Sequence, residues 1–224
     1  MTQMALPLRL ADHAVFESYF PGENSAIVAA LRELAEAGGG QGYWIWGPAA
    51  SGKTHLLQAT CERAGDRAVY LPLRKLVAGG PEILDGLASR ELICIDDIAT
   101  IAGDPAWEQA LFALCNEVLD ANRSLVASAT MSSRECPIGL PDLQSRLARL
   151  ATFQLHALND EQRIGALQLR AELRGLDLPD DTANFLLKRS RRDMASLYEL
   201  LDKLDLEALR AQRRLTIPFV KEVL

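Results

Sequence analysis

The sequence predicts an α/β chain: a parallel-sheet core followed by a small all-helical C-terminal domain. Three observations carry that prediction. Short, continuous apolar runs at 43–46, 68–71, 92–95, 124–129 and 151–155 read as strands buried on both faces. Helical patterns fall between most of them, the alternation that a covered parallel sheet requires. Beyond Leu158 the strand pattern stops, and the rest reads as helix only. The length of 224 residues suits one such core with a smaller domain attached.

Taken in order, residues 1–15 read as an extended arm, because Pro7 biases Leu6 away from helical angles. Residues 24–37 read as a helix capped by Asn24 or Ser25 and ended by Gly38, Gly39 and Gly40. The run at 43–46 leads into a glycine-containing loop, and a helix is expected from about Lys53 to Arg63. The clearest helix is 105–121, with Trp107, Leu111, Leu114 and Val118 on one face, Asp104 as cap and Pro105 at its first position. In the helical part, Asn159, Asp160 and Glu161 start a helix; candidates are 160–174, 181–189, 193–211 and 218–224, broken by Gly175, Pro179 and Pro218. Met194, Leu197, Leu201 and Leu204 form an apolar stripe whose default use is core packing. The expected organisation is an arm at 1–15, an α/β domain at 16–157 and a helical domain at 158–224.

Composition narrows the function classes. With 49% hydrophobic and 24% charged residues the chain has the make-up of an ordinary globular protein. A net charge of −6 disfavours stable, direct DNA binding, which needs positive charge to displace phosphate counterions. The one basic cluster, Lys188, Arg189, Arg191 and Arg192, reads by default as a solvated face. Cys61, Cys94, Cys115 and Cys136 stand alone, and His13, His55 and His156 do not pair, so neither a structural zinc site nor a disulfide framework is expected. No run reaches membrane-spanning length, and the N-terminal residues lack a basic stretch followed by a long apolar one, so a reducing, cytoplasmic location is expected.

The decisive segment is Gly47-Pro48-Ala49-Ala50-Ser51-Gly52-Lys53-Thr54, a match to G-x-x-x-x-G-K-[ST] between a strand and a helix. In such a P-loop, backbone N–H groups and the helix N-terminus face phosphate oxygens. Lys53 is expected to reach the β- and γ-phosphates, and the Thr54 hydroxyl to hold Mg²⁺. The run Leu92-Ile93-Cys94-Ile95-Asp96-Asp97 is the complementary piece, a buried strand ending in acid at the carboxyl edge of the sheet. Asp96 is expected on the magnesium side, through water. Asp97 stands where many hydrolases of this class have a glutamate that polarises the attacking water. Being a methylene shorter, it points to weak intrinsic turnover.

The pairing of Gly52-Lys53-Thr54-His55-Leu56-Leu57 with Ile95-Asp96-Asp97-Ile98 resembles the DnaA-like family of AAA+ P-loop ATPases. Further stretches at 3–8, 20–25, 94–104, 140–147, 166–175 and 213–223 are similar to its shortened Hda branch, and together they cover most of the chain. The resemblance implies several roles. The Q-x-x-L-P-type arm, with Gln3, Leu6, Pro7 and also Met4 and Leu8, would bind the sliding clamp of the replicative polymerase as a peptide in a groove. Arg146 would be an arginine finger offered in trans to ATP on the initiator DnaA; Arg149 nearby is the other arginine of that segment. ADP or ATP, with Mg²⁺, is the expected cofactor, and Phe20 and Pro21 lie where relatives hold the base.

Three features depart from a self-sufficient ATPase. At the sensor end of the fourth strand the chain reads Ser128-Ala129-Thr130, making Thr130 the modest sensor candidate. The family's nucleotide-sensing arginine is replaced by Ala195, with Arg191 and Arg192 upstream as the alternative. The chain stops at Leu224 without a helix-turn-helix domain, so origin recognition by that route is not expected. The implied function is a regulator that stimulates hydrolysis of initiator-bound ATP and prevents re-initiation. The alternatives are an AAA+ helicase or clamp loader acting in its own right, and a nucleotide kinase. Oligomeric state and resting nucleotide stay open.

Overall fold

The computed structural model describes residues 14–189 and 193–223. The arm positions Gln3, Met4, Leu6, Pro7 and Leu8, and the basic residues Arg191 and Arg192, lie outside the described residues. The chain divides into two compact units. One spans Asn24–His156 and takes in the described residues up to Phe16; the other joins Glu17–Glu23 to the chain from Ala157 onward. The short stretch at 17–23, which the sequence alone places with the α/β part, therefore belongs to the helical unit.

In the first unit, α1 (Ser25–Ala37) precedes β1 (Gly42–Trp46), α2 (Lys53–Ala64), β2 (Ala68–Pro72) and the short α3 (Leu73–Leu76). Then follow β3 (Leu92–Asp96), α4 (Pro105–Asp120), β4 (Ser124–Ala129), α5 (Pro141–Leu147) and β5 (Ala151–Gln154). The five strands form one parallel sheet in the order β2-β3-β4-β1-β5. All residues of β3 and β4 are buried, as their unbroken apolar sequences require in the middle of a covered sheet. The edge strands are less buried; Pro72, which cannot donate to a ladder, closes the edge strand β2.

The side-chain period of two divides the sheet into two chemistries. Trp44, Leu71, Ile93, Ile95, Leu125 and Ala127 join one hydrophobic cluster with Trp107, Leu111, Leu114 and Val118 of α4. Tyr70, Cys94, Asp96, Val126 and Ser128 fall on the alternate positions, the face toward α2. Each fully buried leucine or isoleucine of the cluster contributes about 1.5–3 kcal/mol relative to exposure. Asp104 caps α4 by accepting from the N–H groups of Ala106 and Trp107, and Pro105 occupies its first turn. Asn24 precedes α1 but makes no side-chain cap bond to it. Its amide instead donates to the His156 carbonyl and accepts from the His156 N–H, tying the start of α1 to the chain just past β5.

The second unit contains α6 (Asp160–Glu172), α7 (Asp180–Arg189), α8 (Met194–Ala211) and α9 (Ile217–Val223). Asn159 and Gln162 form a reciprocal capping box at the start of α6. Leu197, Leu201 and Leu204 are fully buried in a cluster with Leu167, Leu186, Phe219 and Val220, with Met194 packed at its border. The apolar stripe is thus core. Arg170 of α6 and Arg174, in the turn just past it, both pair with Asp202 of α8, and the Arg170 guanidinium lies 4.3 Å from the centre of the Tyr198 ring. Among the described residues, no helix is long and apolar enough to cross a membrane.

Candidate nucleotide site

The loop from Gly47 to Thr54 leaves the carboxyl end of β1 and enters α2. Two of its residues take left-handed backbone angles, Ala50 at φ 59° and Gly52 at φ 92°, and this curls the chain back over itself. Gly47 is required for a second reason: a Cβ there would lie 2.5 Å from the Leu155 carbonyl oxygen. Pro48, Ala49 and Ala50 form the exposed tip, while Gly47, Ser51 and Lys53 are buried. The Lys53 ammonium donates to the Gly47 and Pro48 carbonyls at 2.8 and 2.7 Å and lies 3.4 Å from Ser51 Oγ. Burial pulls the Lys53 pKa down, and the charges of Asp97 and Asp96 act in the opposite sense. A cation is therefore held inside the curl of the loop, within reach of both acids' fields.

Thr54, at the exposed start of α2, donates from Oγ1 to Asp96 Oδ2 at 2.7 Å. Asp96 is the last residue of β3 and only 4% exposed. Its Oδ2 also accepts from the Tyr70 hydroxyl at 2.8 Å, and its Oδ1 accepts from the Ser128 hydroxyl. Burial first, then the charge of Asp96 and the hydrogen bond to it, push the Tyr70 hydroxyl far above its ordinary value, so it stays a donor. Asp97 follows with a left-handed φ of 59°; its N–H donates to Ser128 Oγ at 3.1 Å. Its half-buried carboxylate accepts from Nε of the exposed Arg74 at 3.0 Å.

Strand order explains this gathering. β4 lies between β1, which carries the loop, and β3, which carries the acids, so the end of β4 faces both. The residue there that bonds both acids is Ser128, fully buried. Thr130, the sensor position expected from sequence, is exposed and lies beyond the strand. Only the sheet order together with the period of two singles out Ser128 and Tyr70.

The arginine of α5 is in a different setting. Arg146 is half-buried and ion-paired with Asp120, the last residue of α4, while Arg149 is exposed. The loop leading into α5 is fixed from the other end of the same helix. Glu108 is 2% exposed, and its carboxylate accepts N–H bonds from Gly103 at 2.7 Å, Gly139 at 2.9 Å and Leu140 at 2.6 Å. Burial alone would raise its pKa, but the three N–H donors outweigh it and hold the carboxyl below its ordinary value. No feature of the sequence singled out Glu108, because two of its three partners are backbone groups far along the chain.

Phe20 and Pro21 belong to the helical unit. The Phe20 ring lies against Gly165 of α6, where a Cβ would come within 2.8 Å. Ala195 stands in the first turn of α8, whose start is capped by Asp193 accepting from the Ser196 N–H.

The loop and acids fit a nucleotide polyphosphate with a divalent cation. The loop has the curl, the buried ammonium and the helix start that phosphate binding requires. The donor set is one hydroxyl and one carboxylate. Among the described residues no group of three or more His, Cys, Asp or Glu could hold a metal alone. Such a sparse set suits Mg²⁺, which keeps its waters and takes phosphate oxygens as ligands.

Comparison with known proteins agrees with the fold. Domain III of the replication initiation protein DnaA from Thermotoga maritima superposes with a TM-score of 0.80 at 21% identity, covering 96% of this chain and 97% of that one. AMPPCP-bound DnaA from Aquifex aeolicus matches with a TM-score of 0.69 at 19% identity, over 91% of this chain and 69% of that one. The RuvB Holliday junction branch migration motor of Thermotoga maritima matches at 0.63 and 19%, over 89% and 65%. Residues 160–224 match the family model described as the Hda lid domain. In fold the chain is similar to domain III of DnaA, and over residues 160–224 it is similar to the Hda lid domain.

Proposed function

We propose that this chain is an Hda-type regulator of replication initiation, which binds adenine nucleotide at its P-loop and stimulates hydrolysis of ATP held by the initiator DnaA. The observation that carries this reading is the union, in one chain, of an Hda-type lid with a loop, Lys53, Thr54 and Asp96 arranged for phosphate. Support for an adenine nucleotide comes from the AMPPCP-bound neighbour of the same fold. A bound nucleotide supplies the phosphate charge around which the loop, Lys53 and Thr54 are organised, with Mg²⁺ beside Thr54 and Asp96.

In this reading the chain's own turnover is slow. Asp97, the candidate for orienting water, is engaged by Arg74, and Ala195 replaces a sensing arginine. The activity is exerted in trans. Arg146 leaves Asp120 and places its guanidinium against the phosphoryl group on the neighbouring initiator, where charge develops as the bond to the leaving group breaks. Arginine fingers of this kind accelerate hydrolysis by about 10³–10⁵. The arm with Gln3, Met4, Leu6, Pro7 and Leu8 holds the chain on the polymerase sliding clamp.

The test is hydrolysis of initiator-bound ATP in the presence of DNA-loaded clamp, with the wild-type chain and with Arg146→Ala. Stimulation by the wild type that is lost in the variant is the expected result. Robust ATP turnover by this chain alone, with the initiator unaffected, would overturn the reading in favour of a loader acting in its own right.

A further inference from the structure

Asp96 does more than hold Thr54. Its Oδ2 accepts from Thr54 at 2.7 Å and Tyr70 at 2.8 Å, and its Oδ1 accepts from Ser128. An ionised carboxylate offers about four acceptor positions, so three hydroxyls leave roughly one. The Tyr70 hydroxyl reaches Asp96 from β2, the strand beside β3. Donors from α2, β2 and β4 therefore converge on one carboxylate at the end of β3. Thr54 needs only one of these acceptor positions for its proton. Neither the P-loop motif nor the acid-ended strand calls for the others.

We propose that Tyr70 is a positioning residue that saturates the metal-side carboxylate, so that nucleotide is held chiefly by the loop, Lys53 and Thr54 and only weakly through a divalent cation. This deepens the nucleotide-binding reading and rests on it. The physical reason is competition. A carboxylate that already accepts three hydroxyl protons is a poorer acceptor for the protons of metal-bound water, and it has little room for them. Phenylalanine at 70 keeps the ring and its packing and removes the one atom that matters. The vacated position on Oδ2 then becomes available to metal-bound water.

The test is titration of the full chain with a fluorescent ADP analogue, in saturating Mg²⁺ and again in EDTA. For the wild type, the affinity is expected to change by less than about threefold on chelation. For Tyr70→Phe, the same comparison is expected to show a dependence of about tenfold, the worth of one hydrogen bond to a charged group. Ser128→Ala removes the donor on the other oxygen and should move the dependence in the same direction; it carries the test if Tyr70→Phe melts early by circular dichroism. A strongly Mg²⁺-dependent wild type, or variants with the wild-type ratio, would overturn the proposal while leaving nucleotide binding intact. A wild type that binds no ADP analogue in either condition would remove the nucleotide reading itself, and the role of Tyr70 with it.

Discussion

Thr54 and Asp96 stand 42 positions apart in the chain and share a 2.7 Å hydrogen bond that joins the first turn of α2 to the last residue of β3. The hydroxyl donates its proton to the carboxylate, so its lone pairs are left for a cation or water on the exposed side. Sheet order makes this contact possible, because β1 and β3 are separated by a single strand.

Replacing Thr54 by valine keeps shape and removes both functions of the hydroxyl. A hydrogen bond to a charged group contributes about 1.5–3 kcal/mol. Thr54→Val is therefore expected to weaken ADP binding by about tenfold or more, since 1.4 kcal/mol is a factor of ten. Thr54→Ser, which keeps the oxygen, should stay within about threefold of the wild type. Equal affinities for the valine and serine variants, measured by titration, would count against a role for this hydroxyl.

Gly47→Ala addresses the loop without touching any charge. Its Cβ would lie 2.5 Å from the Leu155 carbonyl oxygen, and a backbone carbonyl beside β5 cannot turn away as a side chain could. The loop must shift, and overpacking of this kind costs about 1–3 kcal/mol. A melting temperature lowered by roughly 2–10 °C is expected for a chain of this size, together with loss of ADP binding. An unchanged melting temperature and affinity would show that the loop gives way freely.

Much of this was legible in the sequence, and the rest was not for definable reasons. The five strands and the long helices announce themselves by unbroken apolar runs and by the spacing of Trp107, Leu111, Leu114 and Val118. The P-loop is legible because phosphate chemistry constrains consecutive residues. α5 was not marked as a helix: at seven residues it shows too few turns for a period, although Pro141 stands in its first turn. Asn24 is placed as a cap but spends its amide on His156 instead, since a long-range pair of backbone groups outcompetes one N–H of α1. Ser128, Tyr70 and Glu108 depend on which strands and loops are neighbours, and neighbourhood across a sheet is not written in local spacing.

Glu108 supplies a prediction in pH. Its folded pKa is depressed below the ordinary 4.5, so ionisation stabilises the folded state. That contribution is fully present above the unfolded value and is lost as pH falls through the folded one. Glu108→Gln keeps the volume but presents an amide NH₂ where an acceptor is needed, leaving at least one backbone N–H unpaired. A loss of about 1–3 kcal/mol at neutral pH is expected, read by denaturant unfolding. The gap between wild type and variant should narrow as pH drops below 4.5. A gap that stays constant from neutral pH down to acid would mean the carboxylate charge is not what matters.

Arg146 and Asp120 yield a prediction that separates fold from function. Their ion pair joins the end of α4 to α5, with the Asp120 side chain 70% exposed and that of Arg146 21%. Exposed pairs of this kind contribute about 0–1 kcal/mol, because water screens them and both side chains lose freedom. Asp120→Asn should therefore leave the unfolding free energy within about 1 kcal/mol of the wild type. The proposed finger needs the guanidinium, and Asp120 competes for it with the partner's phosphate. Stimulation of initiator-bound ATP hydrolysis should therefore survive in Asp120→Asn, with half-maximal stimulation at a lower concentration of this chain. Arg146→Ala leaves the fold equally intact but should lose about 10³-fold or more of the stimulated rate. If both variants lost stimulation together and melted together, the pair would be structural and the finger would have to be sought elsewhere, with the exposed Arg149 the next residue to change.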